Sequence, residues 1–295
     1  MYLLLEAGFG SQLGKVDREQ IASMKFDGIR QDIPVGAPED VIAGLVKNAQ
    51  KNFSHNVFIV GGWAHWYDLG FVHDRTIEHS PAEVERDALI VCRLARPTDY
   101  IEVGNEWNIT PQYRDDPEKY IETVARVRLA INHPMLAGSV SGLDDGGLSA
   151  FRKVFPLLHP QIIVSFHPYR QTHEPWVDGR RMTEVANEIK SYNRRFAVSE
   201  CGWHTNEMSE AKAFPRCLQK RYWSWTDEQV GYFFRWEIGF WGLAGAELYT
   251  WYQHRDGGGE TFGVVDASGR VKPVGGGRCD PLFVSETTTP LSPTS

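Results

Sequence analysis

Cysteine is scarce. Cys92, Cys201, Cys217 and Cys279 are spread over 295 residues with no C-x-x-C or zinc-type spacing. A dense disulfide framework is excluded, reduced thiols are expected, and Cys201–Cys217 is the one pairing to test. Runs of Lys and Arg are also missing, and the formal net charge is −7. Neither a nucleic-acid surface nor an anionic membrane surface is expected. No apolar stretch is long enough for a transmembrane helix. The opening "MYLLLEAGFG" is too short for a signal peptide and lacks a basic start, so it reads as a first strand. A cytoplasmic chain, or one secreted after processing, is expected. No G-x-G-x-x-G follows that strand, which removes the main reason to expect a dinucleotide site. There is no internal sequence repeat.

What is present is an alternation. Short runs rich in Val, Ile and Phe ("YLLLEAG", "FDGIRQDI", "HNVFIVGG", "DYIEVGNE", "PMLAGSVS", "QIIVSFHPY", "RFAVSECGW", "AELYTWYQ") are separated by stretches of helical period. Among these are "PEDVIAGLVKNAQKN", "PAEVERDALIVCRLA", "DPEKYIETVARVRLAIN", "GLSAFRKVFPLL" and "MTEVANEIKSYN". Several begin with Pro and acids in the first turn. The segment "DEQVGYFFRWEIGFWGLAG" is apolar nearly all round and reads as a buried helix. Eight such units predict a (β/α)8 TIM barrel of one domain over residues 1–273. Residues 274–295 read as an irregular tail rich in Gly, Pro and Thr, and no amphipathic eighth helix is assigned.

In such barrels chemistry sits at the C-terminal ends of the strands, and alternation selects the inward residues. Parity puts Gly28, Arg30 and Asp32 on one face of strand two, and Glu102, Gly104 and Glu106 on one face of strand four. It does the same for Ser165, His167 and Tyr169 on strand six, Phe196, Val198 and Glu200 on strand seven, and Glu247, Tyr249 and Trp251 on strand eight. Two carboxylates, Glu106 and Glu200, are thus expected to face each other across the mouth. Paired carboxylates in a cleft suit glycoside hydrolysis: one protonates the leaving oxygen, the other attacks the anomeric carbon or activates water. Arg30 is the cation placed to keep an attacking carboxylate ionised.

"GNEWN" at the end of strand four and "SECGW" at strand seven resemble the clan A glycoside hydrolases, the 4/7 superfamily of retaining β-glycosidases, and among them families 39 and 5. The resemblance implies Glu106 as acid/base, Glu200 as nucleophile, and Asn105 as a partner of the sugar 2-hydroxyl. "GIR" implies Arg30 beside the nucleophile, "FHPY" implies His167 and Tyr169 at the site, and "TWY" implies Trp251 as an aromatic floor. "FGVVDASGRVKP" resembles the segment that follows strand eight in the clan, and the likeness covers about residues 1–273. No cofactor or metal is implied. The expected partner is an oligo- or polysaccharide. A transglycosylase would use the same residues, and a binding barrel without turnover is the alternative from another class.

Other residues are weighed against plainer roles. Glu102 is expected as a buried partner of Arg30. Trp63, Trp66, Trp107, Trp176 and Trp203 lie at or just beyond strand ends, and Trp63, Trp107 and Trp203 are candidate sugar-stacking surfaces; Trp223, Trp225, Trp236 and Trp241 are expected in the core. His65, Asp68, His73, Asp74 and His79 fit no compact metal motif and are expected in a solvated third loop. Cys201 should point away from the barrel.

Overall fold

A computed structural model describes residues 1–6, 24, 26–67, 70–142, 144–169, 175–202 and 227–252. Eight parallel strands close a barrel: β1 (Tyr2–Glu6), β2 (Gly28–Asp32), β3 (His55–Val60), β6 (Tyr100–Val103), β7 (Met135–Ser141), β8 (Ile163–His167), β9 (Phe196–Cys201) and β10 (Leu248–Trp251). Closure is made by β1, which pairs with β2 through Leu4↔Gly28 and with β10 through Leu4↔Thr250. The (β/α)8 barrel read from the alternation is the observed fold.

The helices form where the sequence supplies both ends. α1 (Glu39–Asn52) starts behind Pro38 with two acids in its first turn. α2 (Pro81–Leu94) opens with a reciprocal cap, Ser80 bonding the Glu83 amide while Glu83 bonds back. The four-residue α3 (Pro111–Arg114) leads into α4 (Pro117–Ala130), capped by Asp116, and α5 (Asp145–Val154) is capped by Asp144. α6 (Pro175–Ser191) begins seven residues before the expected Met182. "PWVDGRR" has no apolar period of its own. Gly179 there lies against the ring of Trp236 on α7 (Asp227–Ala244). The tail after Tyr252, including any eighth helix, lies outside the described residues.

Two expectations are corrected. The third loop is not simply solvated: β4 (Ala64–Tyr67) and β5 (Gly70–His73) form an antiparallel hairpin. Its His65 and the following His79 are buried 5.6 Å apart between ring centres, and His79 bonds Gln112 and Tyr113. Propensity misses this because the buried residues that tie the loop down, His65 and His79, are histidines rather than aliphatics. The inward face of two strands is also shifted. Leu4, Val57, Tyr100, Leu136, Ile163, Ala197 and Leu248 make one buried layer inside the barrel. On β9 the inward residue is therefore Ala197, while Phe196 and Val198 join the outer core under the helices. On β10 it is Leu248, and Tyr249 turns outward to bond Glu237 of α7.

Candidate active site

The mouth is organised by Arg30, which has no exposed surface. Nε donates to Glu102 Oε2 at 2.7 Å. Nη1 donates to Glu6 Oε2 at 2.9 Å and to Glu200 Oε2 at 2.7 Å. Nη2 donates to Asn105 Oδ1 at 2.8 Å and faces His167 Nε2 at 3.5 Å. The planar fork thus spends its donors on fixed partners, which locks five side chains, from β1, β6 and its end, β8 and β9, in one geometry. Ser139 donates to the second oxygen of Glu102 at 2.9 Å, so Glu102 is the structural partner expected of it.

Glu106 reaches the mouth by a strained turn. β6 ends at Val103, Gly104 follows with φ +77°, and Glu106 itself has φ +45°, a left-handed conformation rare for glutamate. The turn is held from several sides. Thr110 Oγ1 lies 3.0 Å from the Asn105 carbonyl and 3.1 Å from that of Glu106, and it accepts from Trp63 Nε1 at 2.8 Å. Asn108 exchanges two hydrogen bonds with the backbone of Ser141 on β7. Gly104 has to lack a side chain, because a Cβ would meet the Tyr120 ring at 2.9 Å.

Glu200 arrives differently. Parity predicted it inward together with Phe196 and Val198, but those two face outward. The register between β9 and β10 slips, from Tyr249↔Val198 to Trp251↔Cys201, so three residues on β9 span two on β10. The bulge turns Ser199 and Glu200 both inward. Tyr169 donates to Glu200 Oε1. Ser199 Oγ contacts His167 Nε2 at 3.1 Å, and His167 Nδ1 contacts Glu106 Oε1 at 3.2 Å. With the Arg30 cation facing Nε2, that nitrogen is the acceptor and Nδ1–H donates to Glu106. Cys201 lies buried outside the barrel wall, its Sγ 3.2 Å from Glu237 Oε2.

Electrostatics sorts these acids. Burial drives the Glu6 carboxyl well above the usual range; Arg30 opposes, and Glu200 and Asp32 push the same way as burial. Asp32 is pushed up to about 6, again chiefly by burial and against the pull of Arg30. Burial also acts on Glu102, but the Arg30 charge and His167 outweigh it and hold that carboxyl below the usual value. The Tyr169 phenol is raised far above its ordinary value by burial and by Glu200, so it stays a donor.

An oxygen of Glu106, Nδ1 of His167 and an oxygen of Glu200 lie within 4.8 Å of one another. Among the described residues no other three His, Cys, Asp or Glu converge this closely. A cation could fit by distance alone. The neighbouring Arg30 charge opposes it, and the two carboxylates already hold hydrogen bonds.

Of the sequence candidates, Arg30, Asn105, Glu106, His167, Tyr169 and Glu200 are brought together. Trp63 stands half-buried beside them, edge-on to His73. Trp107 is not at the mouth: it is 2 % exposed and stacked on Tyr120, because its position faces α4. Trp251 is likewise no floor here. It has no exposed surface and meets Phe234 of α7 edge-on, since the inward residues of β10 alternate with it. Trp241 is core as expected, and Trp66 and Trp236 pack partly buried against it. Trp203, Trp223, Trp225, Asp68, Cys217 and Cys279 lie outside the described residues. Glu6 was missed, although "YLLLE" places it on the same face as inward Leu4; an acid there was the available signal.

No protein-family profile matches the chain, and no curated protein matches it in sequence. Solved structures do match in fold. The catalytic domain of a mannanase from Streptomyces sp. SirexAA-E superposes with a TM-score of 0.62 at 13% identity, over 93% of this chain and 82% of that one. A β-mannanase from Thermomonospora fusca in complex with mannohexaose gives 0.61 at 11%, over 93% and 86%. Cel5A of Thermotoga maritima in complex with cellobiose gives 0.56 at 15%, over 92% and 93%. At these identities the likeness is one of fold. No helix among the described residues is long and apolar enough to cross a membrane.

Proposed function

We propose that the protein is a retaining glycoside hydrolase that cleaves a β-glycosidic bond of an oligo- or polysaccharide by double displacement. The observation that carries this reading is the approach of two buried strand-end carboxylates, Glu106 and Glu200, to within 4.8 Å. Oxygens this near suit a pair in which one carboxylate attacks directly, the arrangement with roughly 5–5.5 Å between carboxyl groups.

Glu200 is the nucleophile. Arg30 and Tyr169 each donate to one of its oxygens, which fixes the carboxylate and leaves a lone pair on each oxygen, one of which can meet the anomeric carbon. Glu106 protonates the leaving oxygen, then takes the proton of the incoming water. His167 holds the Glu106 carboxyl through Nδ1. Asn105, its Oδ1 pinned by Arg30, has Nδ2 left to donate to the sugar 2-hydroxyl.

The fold-level neighbours include proteins solved with mannohexaose and cellobiose, so β-linked manno- and gluco-oligosaccharides are the first to try. Reducing-sugar release is measured on a panel of β-linked polysaccharides and aryl β-glycosides, with Glu200→Gln alongside. Release that disappears in the variant, with the β-anomer formed first by NMR, supports the reading. Binding of a glycan without any release points instead to a binding barrel that has no turnover.

A further inference from the structure

Asp32 is the one acid facing Arg30 that the network leaves out. Glu6, Glu102 and Glu200 each hold a hydrogen bond from Arg30, and Glu106 holds one from His167. Asp32 Oδ1 is buried and has no hydrogen-bond partner in the protein. A buried carboxylate oxygen without a donor is costly, so its donor has to come from outside the chain: water in the free barrel, a ligand in the loaded one.

Its place says which ligand. A side chain at Gly62 would lie 2.7 Å from Asp32 Oδ1 and 3.8 Å from Asn105 Cβ. Asp32 and Asn105 therefore flank the same bare glycine, at the ends of β2 and β6, with β3 between them. The missing side chain lets Asp32 and Asn105 close in on the same point. An amide donor and a carboxylate acceptor side by side suit sugar hydroxyls, which both accept and donate. Charge narrows the class further. Glu6, Asp32, Glu102, Glu106 and Glu200 surround one Arg whose donors are all engaged. Among the described residues at the mouth, no unspent cation would receive a carboxylate on the sugar.

We infer that Asp32 is a substrate-binding residue that accepts a hydrogen bond from a sugar hydroxyl beside Asn105, and that the acid-rich wall restricts the reacting sugar to one without a carboxylate. This rests on the hydrolase reading above. Asp32 is pushed up to about 6 by burial, with Glu200 and Glu102 adding to it against Arg30, which still leaves it mostly ionised at neutral pH.

The test compares full-length wild type with Asp32→Asn. The wild type is first assayed on the glycan panel, with aryl β-glucuronide beside the aryl β-glucoside and β-mannoside. In the variant, KM is expected to rise about tenfold, the difference between a hydrogen bond to a charged acceptor and one to a neutral acceptor. Its thermal midpoint should stay level or rise by about a few degrees, because an unpartnered buried charge has been removed. The wild type should leave the glucuronide intact. A midpoint several degrees lower with KM unchanged would make Asp32 a structural acid and overturn the assignment. So would wild-type cleavage of the glucuronide faster than of the neutral glycosides. Should the wild type neither cleave nor bind any neutral glycan, the hydrolase reading itself fails and takes this inference with it. Failure confined to the variant leaves the hydrolase standing.

Discussion

Ser199 and Glu200 are neighbours on one strand, yet both face the barrel interior: Ser199 Oγ lies 3.1 Å from His167 Nε2 and Glu200 Oε2 lies 2.7 Å from Arg30 Nη1. An unbulged strand could present only one of the two. The slip against β10 thus joins both halves of the site, since His167 in turn holds Glu106. Ser199→Ala should free the imidazole without disturbing the fold. The expected loss is about 1 kcal/mol of stability by denaturant titration. The expected fall in kcat is roughly tenfold, part of the 10²–10⁴-fold that a positioned acid/base supplies.

Tyr169 donates to Glu200 on the side opposite Arg30. Tyr169→Phe keeps the ring and removes the donor, so kcat should fall on the order of 10²-fold, as for loss of one preorganised donor. The leaving group separates this from a defect at Glu106. An aryl glycoside with a very acidic phenol needs little protonation, so it should largely rescue Glu106→Gln. It should not rescue Tyr169→Phe. Equal rescue of both variants would count against the assigned roles.

His79 gives the pH dependence of stability a sign. Burial lowers its pKa from the ordinary 6.5 to about 4, with His65 adding to the effect. His73 is also lowered to about 4, for the same two reasons. Because the folded state prefers the neutral ring, the contribution is complete above about 6.5 and is lost as pH falls towards 4. For His79 that amounts to roughly 3 kcal/mol. The thermal midpoint of the wild type should therefore fall more steeply between pH 6.5 and 4 than that of His79→Gln. Parallel curves would show that His79 does not sense pH.

Much of the site was legible because it depends on position along a strand. The strand-end motifs "GNEWN", "SECGW", "GIR" and "FHPY" put Asn105, Glu106, Glu200, Arg30, His167 and Tyr169 at one rim, and once the strands close into a ring those residues must meet. Glu102 was legible for a similar reason, being an acid on the inward face below them. Parity failed on β9 and β10. It was right about Glu200 for the wrong reason, since a bulge, not alternation, turns that carboxylate inward.

The sequence by itself determined the barrel and the identities of the two facing acids, because local alternation and strand-end chemistry are written residue by residue. Only the tertiary structure decided which acids share Arg30, that Glu6 is one of them, and that Asp32 is left without a partner. It also decided that Trp107 and Trp251 serve the helix layer rather than the mouth. These outcomes depend on register between strands far apart in the chain. One residue of slip reverses the face of every side chain beyond it, and no local pattern records where the slip occurs.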